Sequence, residues 1–231
     1  GIKILLIIAS TVGAMLIFSL LSKYFPTEYS IDRYSYEGII NLNDLYWFIP
    51  FVTIGVALGF IYEMFEKFNI WLSGLVKNKF YLSIIGGIGL GLVGTFVPMT
   101  YFSGEAQLGV MMNEWTQYTG VFLVLIGINK LFMTTFCLSF NIKGGHIFPL
   151  LFSGVVVSYG MLNLLNTSLV FTLAVITTAL CGYVMKKPIT VTGILFLIFP
   201  IRMIIPIAIA ATIASYNSKK FDISKLKRSA A

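Results

Sequence analysis

"TTFCLSFNIKGGHIFPLLFSG", residues 134–154, joins two apolar stretches through a short polar turn. The turn, Lys143-Gly144-Gly145-His146, holds the only histidine of the chain. The glycine pair stops one helical pattern, and an apolar one resumes at about His146 and runs to Gly160 or beyond. The first turn of a helix presents backbone N–H groups without intrahelical partners, at the positive end of the helix dipole. Aimed into a cavity rather than into bulk water, such an end suits an anion. Glycines ahead of it let an ion come close to the backbone. N–H dipoles would hold the ion without a full positive charge, so it could also leave. The plainer alternative is a capping turn at a membrane surface, and the residues alone leave both readings open.

Outward from this turn the chain is built for lipid. Of 231 residues, 58% are hydrophobic and 11% charged, with mean hydropathy +0.91, whereas soluble domains are roughly one quarter charged. Apolar runs cover 4–22, 46–62, 80–98, 120–140, 147–165, 168–185 and 189–216. About 20 such residues cross a bilayer core, and a crossing segment must satisfy its own backbone, as helices do. The expected fold class is an all-α polytopic membrane protein. A signal peptide is the competing reading of 1–22, where Lys3 precedes an apolar run, but no small-residue cleavage pattern precedes Lys23.

The runs are uneven. Residues 45–76 form one helical pattern about 48 Å long at about 1.5 Å per residue, more than a bilayer core needs, so it tilts or projects. Glu63 and Lys67 stand at i,i+4 spacing towards its emerging end. "EAQLGVMMNEW" (105–115) is too short to cross and is expected at the interface. Pro200, Arg202 and Pro206 interrupt 189–216, which therefore reads as two shorter helices that go in and come back. Long tilted helices mixed with short, interrupted ones belong to channels and transporters. In "GGIGLGLVG" (86–94), Gly87 and Gly91 have the small-xxx-small spacing of close helix contacts; a nucleotide-binding glycine loop would need a βαβ context that is missing.

Charge gives an orientation and excludes one partner. The loop 26–44 carries Glu28, Asp32, Glu37 and Asp44 against Arg33, and 99–118 carries Glu105 and Glu114 with no Lys or Arg; both are placed outside. Lys77, Lys79, Lys143, Lys186 and Lys187 mark the inside, together with the basic end of the chain. The net charge is +7, but five of the sixteen Lys/Arg fall in "KKFDISKLKRSAA". A basic tail beside a membrane helix meets anionic lipid on the cytoplasmic face, so nucleic acid is not the expected partner.

Enzymatic chemistry finds no support. One histidine, no close intramembrane carboxylate pair and no cysteine cluster leave too few ligands for a catalytic metal, and no other cofactor is called for. The acid nearest His146 in sequence is Glu114. Cys137 and Cys181 lie in apolar runs without metal or redox spacing and read as small core hydrophobes. Lys130, inside "VFLVLIGINKLFMTTF", is the clearest intramembrane charge. A structural pairing inside the bundle, with a carboxylate on another helix, is the favoured reading over substrate contact or snorkelling, and Arg202 is placed at the interface.

The stretch 134–154 resembles the CLC family of chloride channels and chloride/proton exchangers, in which a Thr-Thr helix runs to a glycine pair followed by G-x-F-x-P. The resemblance continues in order along the chain. Residues 1–23 resemble the ninth family helix, 45–76 the long tilted tenth and 80–98 its glycine-rich successor. "YFSGEAQLG" (101–109) is similar to the polar turn before the next short helix, and "VTGILFLI" (191–198) to the family's P-L-T-G-x-x-x-x-x-E stretch. The implied fold is a CLC-type inverted repeat with tilted and re-entrant helices. The chain would be the C-terminal portion of such a domain: 1–23 before the repeat, 45–217 the second repeat, and 218–231 a basic cytoplasmic tail.

Carried over by position, the resemblance implies an anion held by Gly144, Gly145, His146, Ile147, Phe148 and Pro149, with the N–H groups of His146 and Ile147 as the direct donors. Phe221 falls where many members place a tyrosine whose hydroxyl contacts the ion, and it lacks that hydroxyl. Ile147 replaces the usual Phe, Asn141-Ile142-Lys143 replace a Gly-x-Pro run, and Phe199 stands where Glu is common. Lys130 matches an often basic position. The family's serine filter loop and Gly-x-Glu-Gly-Pro gate do not occur in these residues, so an N-terminal half, in the same polypeptide or a partner chain, is expected to supply them. The implied partners are chloride or another small anion, the lipid bilayer, and a second copy in a homodimer through 1–23 and 189–216. The implied setting is a bacterial cell membrane, with both ends cytoplasmic. The alternative from another class is a non-conducting membrane assembly or anchor module; a cation transporter fits poorly, because no acid faces the membrane interior.

Overall fold

A computed structural model describes residues 13, 17, 34, 42–101, 103–162 and 167–220. Contacts divide the chain into two units, Gly1–Ser30 and Ile31–Ala231. In the first, Gly13 and Ile17 are helical; the rest of the helix expected over 1–23 lies outside the described residues, as does 221–231.

In the second unit the described residues form eight α-helices: α1 (Leu42–Ser73), α2 (Lys79–Phe96), α3 (Glu105–Glu114), α4 (Gly120–Ser139), α5 (Ile147–Leu162), α6 (Leu169–Met185), α7 (Pro188–Ile198) and α8 (Ile204–Lys220). Short 3-10 turns lie at Pro98–Thr100, Trp115–Gln117 and Ile201–Met203. Segments Asp44–Ser73, Lys79–Phe96, Gly120–Ser139 and Ile201–Lys219 are long and apolar enough to cross a membrane. The all-α polytopic class and the unevenness read from the sequence both stand.

The break in 189–216 falls at Phe199–Met203, between α7 and α8. Pro200 starts the 3-10 turn. Pro206 sits in the first turn of α8, where a missing N–H costs no helical bond. Ser218–Lys220, assigned from sequence to the basic tail, continue α8 instead. Phe199 is fully buried and stacks on Tyr34, ring centroids 5.3 Å apart. Tyr34 in turn shares a hydrogen bond with the Tyr159 hydroxyl at 2.9 Å. A carboxylate in place of Phe199 would be desolvated by this aromatic packing.

The core is centred on α5 and α6, which are shorter than a full crossing at 16 and 17 residues. Every residue from Val170 to Tyr183 is buried, the pattern of a helix surrounded on all sides. α5 and α6 pack on each other, α3 and α4 pack against α5, and α1, α7 and α8 pack against α6. The approach is close: a Cβ on Gly154 would lie 2.7 Å from Thr177 Cα, and one on Gly160 would lie 2.6 Å from the Gly120 carbonyl. The buried Asp44, in the first turn of α1, accepts a hydrogen bond from the Ser168 N–H at 3.2 Å. One carboxylate thus serves the positive ends of both α1 and α6.

Gly87 and Gly91, expected from their spacing to be the helix-contact pair, instead face open space, which corrects that expectation. The contact runs along the neighbouring face of α2, where a Cβ on Gly86 would meet Phe140 Cβ at 2.9 Å and one on Gly89 the Phe136 ring at 2.7 Å. Spacing alone identifies a pair of small residues, but the rotation of the helix decides which pair is used.

Candidate functional site

α4 ends in a capped turn that aims the chain at the start of α5. Asn141 takes the left-handed conformation at φ 62°, and the Ile142 N–H donates to the Cys137 carbonyl at 2.9 Å, a Schellman closure. Asparagine tolerates this φ better than other non-glycine residues, so it can stand where the resembled family has a glycine. Its side-chain amide also donates to Ser83 Oγ at 3.1 Å, tying the turn to α2.

Residues 142–145 then run outside any helix, and α5 starts at Ile147. The first backward bond of α5 is from Leu150 N–H to the His146 carbonyl, 3.1 Å. His146 is therefore the cap position. The unbonded first-turn donors are the N–H groups of His146, Ile147 and Phe148, because Pro149 has none. His146 and Phe148 are exposed, Ile147 is half-buried and Pro149 is buried. Gly144 and Gly145 are exposed, neither adopts a positive φ, and a Cβ on either would meet nothing within 4 Å. Neither packing within the described residues nor backbone strain calls for glycine at these two positions.

Two cavities flank this turn. One, of about 280 Å³, is lined by residues that include Lys130, Thr134, Cys137, Lys143, Gly144 and Gly145. The other, of about 210 Å³, is lined by Tyr62, Glu63, Glu66, Leu138, His146, Val184 and Lys186. Among the described residues, the first wall carries two ammonium groups and no carboxylate; the second carries two carboxylates and one ammonium.

Lys130 is the best-fixed charge of the site. It is 1% exposed, and its Nζ donates to the Thr100 carbonyl at 2.8 Å and the Tyr101 carbonyl at 3.1 Å. It also lies 5.5 Å from the centre of the Phe152 ring, a cation–π distance. The partners seen are backbone carbonyls at the end of the Pro98–Thr100 turn, where the sequence reading offers a carboxylate. Gly104 completes that corner. Its φ is 92°, and a Cβ there would meet Phe152 Cβ at 3.0 Å, so the position suits glycine alone.

On the acidic side, Glu63 pairs with Lys186 at 3.1 Å, rather than serving the i,i+4 partner Lys67 that its spacing offered. Sequence reasoning did not connect Glu63, Glu66 and Lys186 with the turn. The signal available was Lys186 itself, a non-glycine residue after an apolar run, which caps α6 at φ 56°. Phe221 lies outside the described residues. Arg202 is exposed in the 3-10 turn between α7 and α8. Among the described residues, no group of three or more His, Cys, Asp or Glu could hold a metal ion.

Helices long and apolar enough to cross a membrane, with short buried helices packed between them, fit an integral membrane protein. Residues 2–219 match the family described as voltage gated chloride channel, nearly the whole chain. The chain belongs to that family, whose members are chloride channels or exchangers. The sequence matches none of the curated proteins with which it was compared.

Proposed function

We propose that this chain forms one wall of a chloride pathway and holds the anion on the N–H groups of His146, Ile147 and Phe148 at the start of α5. The observation that carries the reading is the glycine pair. Gly144 and Gly145 have no steric or conformational reason to be glycine within the described residues, yet they lead directly to a helix start with three unbonded N–H groups. Close approach by an ion accounts for both facts. α5 spans about 24 Å at about 1.5 Å per residue, less than a ~30 Å hydrocarbon core. Its start can therefore lie below the membrane surface, where an N–H dipole is little screened by water.

Held by partial charges, the ion is bound weakly enough to exchange, as conduction requires. Pro149 keeps the third position from competing as a donor and presets the first turn. Phe221, if it reaches the site, adds an apolar edge in place of a hydroxyl. The remaining wall, with any gate, belongs to an N-terminal half, and two copies assemble into the working dimer.

The test is bromide soaked into crystals of the assembled protein. Anomalous density within hydrogen-bond reach of the His146–Phe148 amides is expected; a capped turn with no ion there would overturn the reading. Liposomes holding residues 1–231 alone are expected to show no anion flux, and flux from them would remove the need for a second half.

A further inference from the structure

We propose that α1 and α2 frame a cleft that binds one anionic phospholipid, its phosphate on Lys77 and Lys79 and an acyl chain on the aromatic face of α4. The inference is independent of the ion site proposed at α5.

The cleft follows from how three helices meet. Only residues 74–78 join α1 to α2, yet the two barely touch, and both pack on α4 instead. The Asn69 side-chain amide donates to Thr135 Oγ1 at 2.9 Å, which fixes α1 to α4. On the other flank a Cβ on Gly89 would meet the Phe136 ring at 2.7 Å, so α2 lies directly on that ring. A row of rings runs between these contacts. Phe65 of α1 meets Phe132 edge-on with centroids 5.3 Å apart, and Phe132 stacks on Phe136 at 6.1 Å. All three are half-buried among the described residues, which makes the row an apolar floor with one side open. Towards the α1–α2 turn the walls continue through Phe68 and Ile85, both exposed.

The length of the cleft suits one leaflet. Phe65 and Gly89 lie about 12–15 Å from the turn, measured along their helices at about 1.5 Å per residue. Half of a ~30 Å hydrocarbon core has that same length. A phospholipid with its headgroup at the turn therefore lays a chain along the whole floor.

Charge selects the headgroup. Lys77 and Lys79 are exposed at the turn, and no acid occurs between Glu66 and Glu105 in the sequence. The acids of α1 are turned to another use, since Glu63 and Glu66 line the cavity beside His146. Asn78 is committed as well, its side chain accepting the Phe80 N–H at 2.9 Å. The two ammonium groups are thus the donors on offer, and they favour a net negative headgroup over a zwitterionic one. Trp71 and Tyr81 are exposed on either side of the turn, where aromatic side chains anchor at a membrane interface.

Trp71 is also the reporter. The full chain is reconstituted in phosphatidylcholine bilayers with a small fraction of lipid brominated on its acyl chains, either phosphatidylglycerol or phosphatidylcholine. The signal is the quenching that Trp71→Phe removes, which sets aside Trp47 and Trp115. Brominated phosphatidylglycerol should quench at an about tenfold lower fraction than its phosphatidylcholine counterpart, and Lys77→Gln with Lys79→Gln should bring the two within about twofold. Native mass spectrometry should find one phosphatidylglycerol retained per chain and lost in the double variant. Equal quenching by the two lipids, or a preference that survives the double variant, would overturn the proposal. So would a preference that never saturates at one lipid per chain, the mark of a diffuse anionic layer. Quenching that disappears as chains are crowded in the bilayer would also overturn it, by placing a second copy in the cleft.

Discussion

The body of α5 and the turn ahead of it use glycine for opposite purposes. At Gly154 and Gly160 a Cβ would strike backbone atoms of neighbouring helices, at 2.7 and 2.6 Å. At Gly144 and Gly145, ahead of the same helix, it would strike nothing within 4 Å. The first pair is demanded by packing, and the second leaves open backbone at the mouth of a helix. The same residue type, within one short stretch of sequence, therefore marks structure in one place and a candidate ion contact in the other.

The largest effect is expected where packing is tightest. Gly154→Ala puts a methyl group against Thr177 Cα and should cost about 2 kcal/mol or more, read as a lower unfolding midpoint in detergent. A neutral result would mean that α5 and α6 are not locked at this crossing. Gly145→Ala should do the reverse, leaving stability within about 0.5 kcal/mol while weakening bromide binding about tenfold, or about 1.4 kcal/mol. Unchanged binding would break the functional half of the comparison.

α2 offers the same contrast at smaller scale. Gly87→Ala should stabilise by about 0.5–1 kcal/mol, since it removes a flexible residue from a helix face with open space. Gly86→Ala should not, because its Cβ meets Phe140. Equal effects at the two positions would contradict the observed rotation of α2. The smallest effect is expected at His146. Its backbone is in the proposed site but the residue is exposed and lines the acidic cavity, so His146→Gln should leave bromide affinity within about twofold, a difference under ~0.5 kcal/mol. A loss as large as that of Gly145→Ala would bring the side chain into the site.

Much of this architecture is legible in the linear sequence. The long α1, the short α3, the break between α7 and α8 and the start of α5 near His146 all follow from apolar run length and from the positions of Gly and Pro. Those signals act through the residue's own backbone or its immediate neighbours, so they survive in a linear reading. The donors of the candidate site come instead from the resemblance, since the residues alone leave an anion site and a capping turn both open. Gly87 and Gly91 mislead because i,i+4 spacing occurs on every face of a helix, and only contact with α4 selects Gly86 and Gly89.

Composition and residue order are thus enough to specify a polytopic all-α membrane chain, its uneven helices, and a glycine turn that leads into a helix starting at about His146. Other features exist only once the helices pack: Lys130 held by the Thr100 and Tyr101 carbonyls, Glu63 meeting Lys186, and the turn lying between a basic and an acidic cavity. These pairings join residues far apart along the chain. Local hydropathy and helix-breaking residues carry no record of them, because packing alone fixes which helix face meets which.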